Sequence, residues 1–324
     1  MSAVKRVAVI GASGFIGAHV IHALREEGHI AIPMKGPRLP SMPSREARSF
    51  VETTHIVAQL RNELAEFDAV VNAAGNPDAS SRDTDSLTAA NGVLPGVLAA
   101  ATAQGQRPAR LVHVSSAVVQ GRLAVLDAST ATQPFSAYAS SKVLGEELVR
   151  ELAPLHSVIY RPPSVHAADR RVTRMTGRIA RSALATVARP GSTPSPQALA
   201  PNVGSAIAFL STCEQTPPQI VAHPWEGLST ARLMEALGGR PPREVPRSLA
   251  KAAVELLETA GRALPQLSAN ARRIEMLWFG QSQARSWLTD AGWQPAAGLL
   301  EWEALGRQLR DEHQHISTRE GVST

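Results

Sequence analysis

The chain has 324 residues, 44% hydrophobic and 19% charged, enough for one large domain or two smaller ones with substantial cores. That balance excludes a disordered or fibrous chain, and a single cysteine, Cys213, excludes an intramolecular disulfide or a cysteine-built metal site. The net charge of +5 raises the question of nucleic acid, but the arginines are scattered without a basic block interleaved by aromatics, so no nucleic-acid partner is expected.

No run approaches a membrane span in length, and Lys5 and Arg6 lead into a strand rather than a signal segment. A cytoplasmic protein with no membrane partner is the expectation. The excess positive charge suits attraction of an anionic cofactor and substrate.

The first element predicted is a strand, Val7 to Ile10, followed by Gly11-Ala-Ser13-Gly14-Phe15-Ile16-Gly17 and a helical pattern through Val20, Ile21 and Leu24. Strand, glycine turn and helix in that order form a dinucleotide cradle. Gly11 makes the turn, Gly14 lets the backbone approach a pyrophosphate, and Gly17 lets the helix pack closely. Ser13, Phe15 and Ile16 complete the turn, and the helix N-terminus offers N–H groups to phosphate.

A second short strand, Ile30 to Ile32, ends in a Pro-rich loop without an acidic residue. An acid there would bond the 2′-hydroxyl of NAD; basic residues accommodate the 2′-phosphate of NADP. Lys35 and Arg38, with Arg45 behind them, point to NADP, with NAD the alternative; a solvated basic loop is the plainer reading. A helical segment closes at Leu60 to Leu64. A buried strand then starts at Asp68 and ends in Ala73-Ala74-Gly75, small enough for close passage of a cofactor.

Asn91 falls in a helix running to about Ala103, and the strand Leu111 to Val114 delivers Ser115 and Ser116 to the carboxyl edge of the sheet. Next comes the stretch on which the chemistry centres. Ser136 is placed to cap a helix that carries Tyr138 and Lys142 one turn apart, with Leu144, Leu148 and Leu152 repeating below them. A phenol has a reference pKa of about 10, and a neighbouring ammonium lowers it into a useful range for proton transfer. Only four of the 33 Lys and Arg residues are lysines (Lys5, Lys35, Lys142 and Lys251), which sets this pair apart from a solvated face.

Val158 to Tyr160 form a further strand, broken by Arg161-Pro162-Pro163. Strands alternating with helices up to residue 165 predict an α/β fold, a right-handed, doubly wound parallel sheet of Rossmann type. Residues 1–165 are expected to form this domain, with 201–222 returning to it through a helix and the strand Ile220 to Ala222. Residues 166–200 and 223–310 are assigned to a smaller, mostly helical substrate part, including helices near 230–237 and 247–259. Trp278, Trp287, Trp293 and Trp302 are expected to share one C-terminal core. The tail 311–324 is expected to be disordered, and its histidines, at 313 and 315, lack further metal partners.

These residues resemble the extended short-chain dehydrogenase/reductase family of nucleotide-sugar epimerases, dehydratases and ketoreductases. The resemblance runs from Val7 to about Arg310. It rests on the glycine turn 11–17, the strand 68–75, LVHVSSAVVQG (111–121), Tyr138-Ala-Ser-Ser-Lys142, Tyr160-Arg-Pro162-Pro-Ser-Val165, and the closing stretch from Gly280 to Pro295. It implies Tyr138 as general acid/base and Lys142 as its modulator and a ribose ligand. Ser116 is implied as donor to the reacting carbonyl, Asn91 as a residue beside the site, and Pro162 and Val165 near the nicotinamide.

Where dehydratases carry an Asp-Glu pair after the catalytic Ser or Thr, this chain has Ala117 and Val118, which disfavours elimination of water. Three functions stay open. One is an NADPH-dependent ketoreductase acting on a nucleotide-linked keto-sugar or a small carbonyl compound. The others are an NAD-dependent 4-epimerase and a non-catalytic NADP-binding regulatory protein. A homodimer is also implied, pairing through the helices that start near Ala89 and Ser136.

Overall fold

A computed structural model of the chain describes residues 3–78, 81–104, 107–263, 272 and 274–321. The chain divides into two compact units. The first comprises Met1–Pro163, Ala200–Pro224 and Ala284–Ala296; the second comprises Ser164–Leu199, Trp225–Gln283 and Ala297–Thr324.

The first unit is built on a parallel sheet. Its strands are β1 (Arg6–Ile10), β2 (Ile30–Met34), β3 (Ala69–Asn72), β4 (Arg110–Val114), β5 (Ser157–Arg161) and β6 (Ile220–Ala222), in the order β6-β5-β4-β3-β1-β2. Every neighbouring pair in it is parallel. Strands β1, β3, β4 and β5 are buried almost throughout, which is why they read as continuous apolar runs rather than alternating ones. The order reverses at β1, between β2 and β3, and such a reversal opens a crevice at the carboxyl ends of the strands. Edge strand β2 carries Pro33 opposite Val9.

Helix α1 (Phe15–Glu26) follows β1, and α2 (Ser44–Thr53) and α3 (Ile56–Leu64) follow β2. Helix α4 spans Thr84–Ala103, with one π-helical turn at Thr88–Val93, and α5 spans Ala137–Leu152. Helix α6 (Ala200–Thr212) and β6 return to this unit. Segment 284–296 also belongs to it, which the sequence pattern did not indicate: Ser286 Oγ donates to the Ala222 carbonyl at 2.5 Å, and Trp293 Nε1 donates to Ser205 Oγ at 2.9 Å.

By length and composition α4 could cross a membrane, but 83% of its apolar window is buried inside the protein, as suits a core helix. From Leu87 to Thr102 no residue of α4 is exposed. Helix α2 lies over it, with Met42, Ala47 and Val51 in one core with Val93, Val97 and Leu148, and Arg48 paired with Glu151 of α5. This corrects the expected pairing surface. The part of α4 that was to meet a second copy is covered by α2 and α3 of the same chain.

In the second unit, strand Ser164–His166 pairs with Gln197–Leu199, and Thr186–Ala188 pairs with Arg243–Val245. Helices Arg171–Arg181, Thr230–Gly238 and Leu299–Gly321 surround a core that includes Val187, Leu233, Leu237 and Trp302, and a further helix spans Arg247–Ala263. Two expectations are corrected here. The tail expected to be disordered continues the helix Leu299–Gly321, since no proline or glycine interrupts it after Gly306 and Gln308 bonds Glu312 one turn on. The tryptophans do not share a core: Trp287 and Trp293 belong to the first unit, Trp278 and Trp302 to the second. Their closeness in the chain carried no information about which unit each would enter.

Candidate active site

Gly11 has φ +82°, and a Cβ on it would lie 2.6 Å from the Ala74 nitrogen; on Gly17 it would lie 2.1 Å from the Gly11 carbonyl oxygen. The turn therefore presses against the end of β3 on one side and takes the helix closely on the other. Gly14 is the N-cap of α1, with no side chain capping the first turn and no acid within it. Ser13 and Gly14 are exposed, while Phe15 and Ile16 are half-buried. This cradle fits a dinucleotide pyrophosphate, because the chain leaves its surface bare where backbone N–H groups would meet phosphate. Lys35 and Arg38 are both exposed just beyond β2.

Asn72, at the end of β3, shapes the next wall. Its Oδ1 accepts from the Ala74 N–H at 3.2 Å, so its amide nitrogen faces His113 Nδ1 at 3.2 Å on neighbouring β4. His113 is fully buried; burial first, and the Lys142 charge second, hold its pKa well below the usual value. It is a neutral acceptor for Asn72.

Asn91 sits in the π turn of α4 and is 1% exposed. Its Oδ1 accepts from the Asn76 N–H at 3.0 Å, and its Nδ2 donates to the Asn76 carbonyl at 3.0 Å and to Ser141 Oγ at 3.1 Å. It thus ties the loop after Gly75 to α5. Helix α5 comes this close because Gly145 faces the Asn91 carbonyl, where a Cβ would approach to 2.2 Å.

Ser136 caps α5 as expected, its hydroxyl oxygen accepting from the Ala139 N–H at 3.1 Å. Tyr138 is half-buried in the first turn. Lys142 is buried, and its Nζ donates to the Val114 carbonyl at 3.1 Å, at the end of β4. Burial lowers its pKa to about 8, against the opposing pull of Glu146.

Two residues on, Ser116 caps a short 3-10 turn, Ala117–Gln120, its oxygen accepting from the Val118 N–H at 3.3 Å. A bond taken at oxygen polarises the hydroxyl and leaves its proton to be donated outward. Ser115 is instead buried and donates to Glu146 Oε1 at 2.5 Å. Pro162 is buried, its carbonyl accepting from the Ala117 N–H at 2.9 Å, and Val165 lies in the second unit, paired with Ala198.

The carboxyl edge of this sheet thus gathers the glycine turn, the Ala73–Gly75 wall, Ser116 and the Tyr138/Lys142 face of α5. A family model described as the NAD dependent epimerase/dehydratase family matches residues 7–193. The chain belongs to that family.

Among curated relatives, a probable low-salt glycan biosynthesis reductase from Haloferax volcanii is 29% identical over 150 residues, 45% of this chain and 49% of that protein. The match therefore spans about half the length of that relative. Among solved structures, a dTDP-4-dehydrorhamnose reductase from Bacillus anthracis in complex with NADP aligns with a TM-score of 0.60 at 16% identity, covering 95% of this chain and 99% of that one. A UDP-glucuronic acid 4-epimerase from Bacillus cereus in complex with NAD aligns equally well, with a TM-score of 0.60 at 17% identity over 94% and 99%. At these identities the likeness speaks for the fold.

Two groups of residues escaped the sequence reading. Glu146 follows Lys142 by one turn, so a third residue on the Tyr138 face was there to be seen. Asn72 and His113 gave no signal, since their pairing depends on the register of β3 against β4.

Proposed function

We propose that this enzyme is an NADPH-dependent ketoreductase acting on a nucleotide-linked keto-sugar. The observation that carries the reading is the Lys142 ammonium bonded to the Val114 carbonyl, which sets the Tyr138 face of α5 against the strand end that bears Ser116. When bound, the reduced nicotinamide supplies the hydride. Reduction of a ketone leaves negative charge on its oxygen. Ser116 donates a hydrogen bond to that oxygen, and Tyr138 delivers the proton. The Lys142 ammonium stabilises the resulting phenolate and suits the ribose hydroxyls of the cofactor. Asn91 acts on this site by holding the Asn76 loop and Ser141 in place.

For the choice of NADP, the support is Lys35 and Arg38 directly beyond β2, with no acid between Ala31 and Arg45. The glycan biosynthesis reductase relative supports net reduction. The test is titration of NADPH and NADH against wild type and a Lys35→Ser/Arg38→Ser variant. Charge-assisted bonds of about 1.5–3 kcal/mol each predict a wild-type preference for NADPH of roughly one to several decades, mostly lost in the variant. Tighter NADH binding in wild type would replace this reading with a 4-epimerase that keeps one NAD through each cycle.

A further inference from the structure

Helix α5 carries a second buried charge that the reaction above does not use. Glu146 is one turn beyond Lys142 and two beyond Tyr138, and it is 2% exposed. Its Oε1 accepts from the Ser115 hydroxyl at 2.5 Å and from Arg161 Nε at 2.9 Å, and its Oε2 accepts from Arg161 Nη2 at 2.6 Å. Arg161 Nη1 donates to the Ser129 carbonyl at 2.7 Å and to the Asp127 carbonyl at 3.3 Å. That loop is bonded to Gln120, the last residue of the turn that Ser116 caps: Gln120 Nε2 donates to Asp127 Oδ1 at 2.7 Å, and the Asp127 N–H returns to Gln120 Oε1 at 2.9 Å. One carboxylate therefore joins the helix face of Tyr138 and Lys142 to the ends of β4 and β5 and to the loop behind Ser116.

Stability alone is a poor reason for such a pair. Desolvating two charges costs several kcal/mol, and apolar residues of similar volume often do as well. An apolar pair supplies neither directional bonds nor a negative charge beside Lys142.

We propose that Glu146 is a positioning residue for the carbonyl reduction described above. Through Ser115 and Arg161 it fixes where α5 stands against Ser116, and its charge keeps the Lys142 ammonium charged. The groups facing Lys142 agree with this. On its own helix stand Tyr138 and Glu146, and on β4 stands His113, which is neutral; Arg161 of β5 meets this cluster through its ion pair with Glu146. Ser115 commits its proton to Glu146, so Ser116 is the serine of that strand end placed to donate to a carbonyl oxygen.

The inference rests on the reductase reading, and its first test needs no turnover. Protein labelled with carbon-13 at the lysine ε position gives four resonances, and that of Lys142 is identified by its loss in Lys142→Arg. In wild type it is expected to titrate near 8. In Glu146→Gln, which keeps an oxygen for its partners but no charge, it is expected to titrate at least about one unit lower, roughly a tenfold change in proton affinity. Glu146→Asp keeps the charge one methylene short. There the Lys142 titration is expected near its wild-type position while single-turnover NADPH oxidation falls about tenfold or more, as a small misplacement of reacting groups implies.

Lys142 titrating at the wild-type pH in Glu146→Gln overturns the charge role, and a wild-type single-turnover rate in Glu146→Asp overturns the positioning role. If Glu146→Gln does not fold, judged by circular dichroism, both readouts on Glu146→Asp decide. A wild-type protein that binds NADPH but reduces no keto-sugar defeats the reductase reading alone and leaves the lysine titration to stand.

Discussion

Gly75→Ala would test the site where its walls meet most closely. A Cβ on Gly75 would lie 2.6 Å from Asn91 Oδ1 and 3.4 Å from Lys142 Nζ. The first distance is well inside ordinary carbon–oxygen contact, so Asn91 must move by a good part of an ångström. It cannot do so while keeping its three bonds, at 3.0, 3.0 and 3.1 Å. Each is worth about 1 kcal/mol net, and a buried amide left unpaired costs more, so the variant is expected to lose about 2–3 kcal/mol. The loss should appear as a lower urea midpoint with an unchanged slope, since no extra surface is exposed. Cofactor affinity should fall as well, because the displaced loop continues from the Ala73–Gly75 wall. Wild-type midpoint and wild-type cofactor affinity together would refute the reasoning, showing that Asn91 yields without loss.

Tyr138→Phe removes the proposed proton donor but keeps the ring; turnover measured with chemistry rate-limiting is expected to fall by about two to four decades, with cofactor affinity nearly intact. The reduction rate should decline above about pH 8 as the Lys142 ammonium loses its proton, and in Lys142→Arg any residual activity should show that decline displaced upward, as a stopped-flow pH profile will show. His166, buried against Gln197 and Thr173 in the second unit, has its pKa lowered from 6.5 to about 4 by burial. As pH falls through that window the unfolded chain takes up a proton that the folded chain refuses. Unfolding free energy should drop by about 3 kcal/mol, and the drop should be absent in His166→Gln when both are followed by urea titration.

What the sequence made legible was local. The strand, glycine turn and helix from Val7 to Leu24 are adjacent in the chain, and so are the Ser136 cap and the Tyr138/Lys142 pair, so pattern alone located them. The Ser115–Glu146–Arg161 network was not legible, because its members lie on three elements and meet only once α5 is docked on β4 and β5. Nor was α2: the prolines at 37, 40 and 43 read as loop, yet Pro43 ends them at the N-cap and Ala47 and Val51 then have a core to enter. The π turn at Asn91 depends on the approach of α5 at Gly145, which no period in the α4 sequence encodes. The covered face of α4 follows from the same omission, since a helix not anticipated cannot be seen to occupy a surface.

The two ends of the sheet bear on how the protein behaves at high concentration. A bare sheet edge is a template on which another chain can add a strand. At one end β6 is only three residues long, Ile220–Ala222, all buried, and its Ala222 carbonyl is already taken by Ser286. At the other, β2 places Pro33 among five residues, which removes one backbone donor from the exposed rim and leaves the row of hydrogen-bonding groups broken. Putting valine at position 33 would restore an unbroken β-forming stretch, Ile-Ala-Ile-Val-Met, on that rim, so the proline acts as a guard against filament-like association.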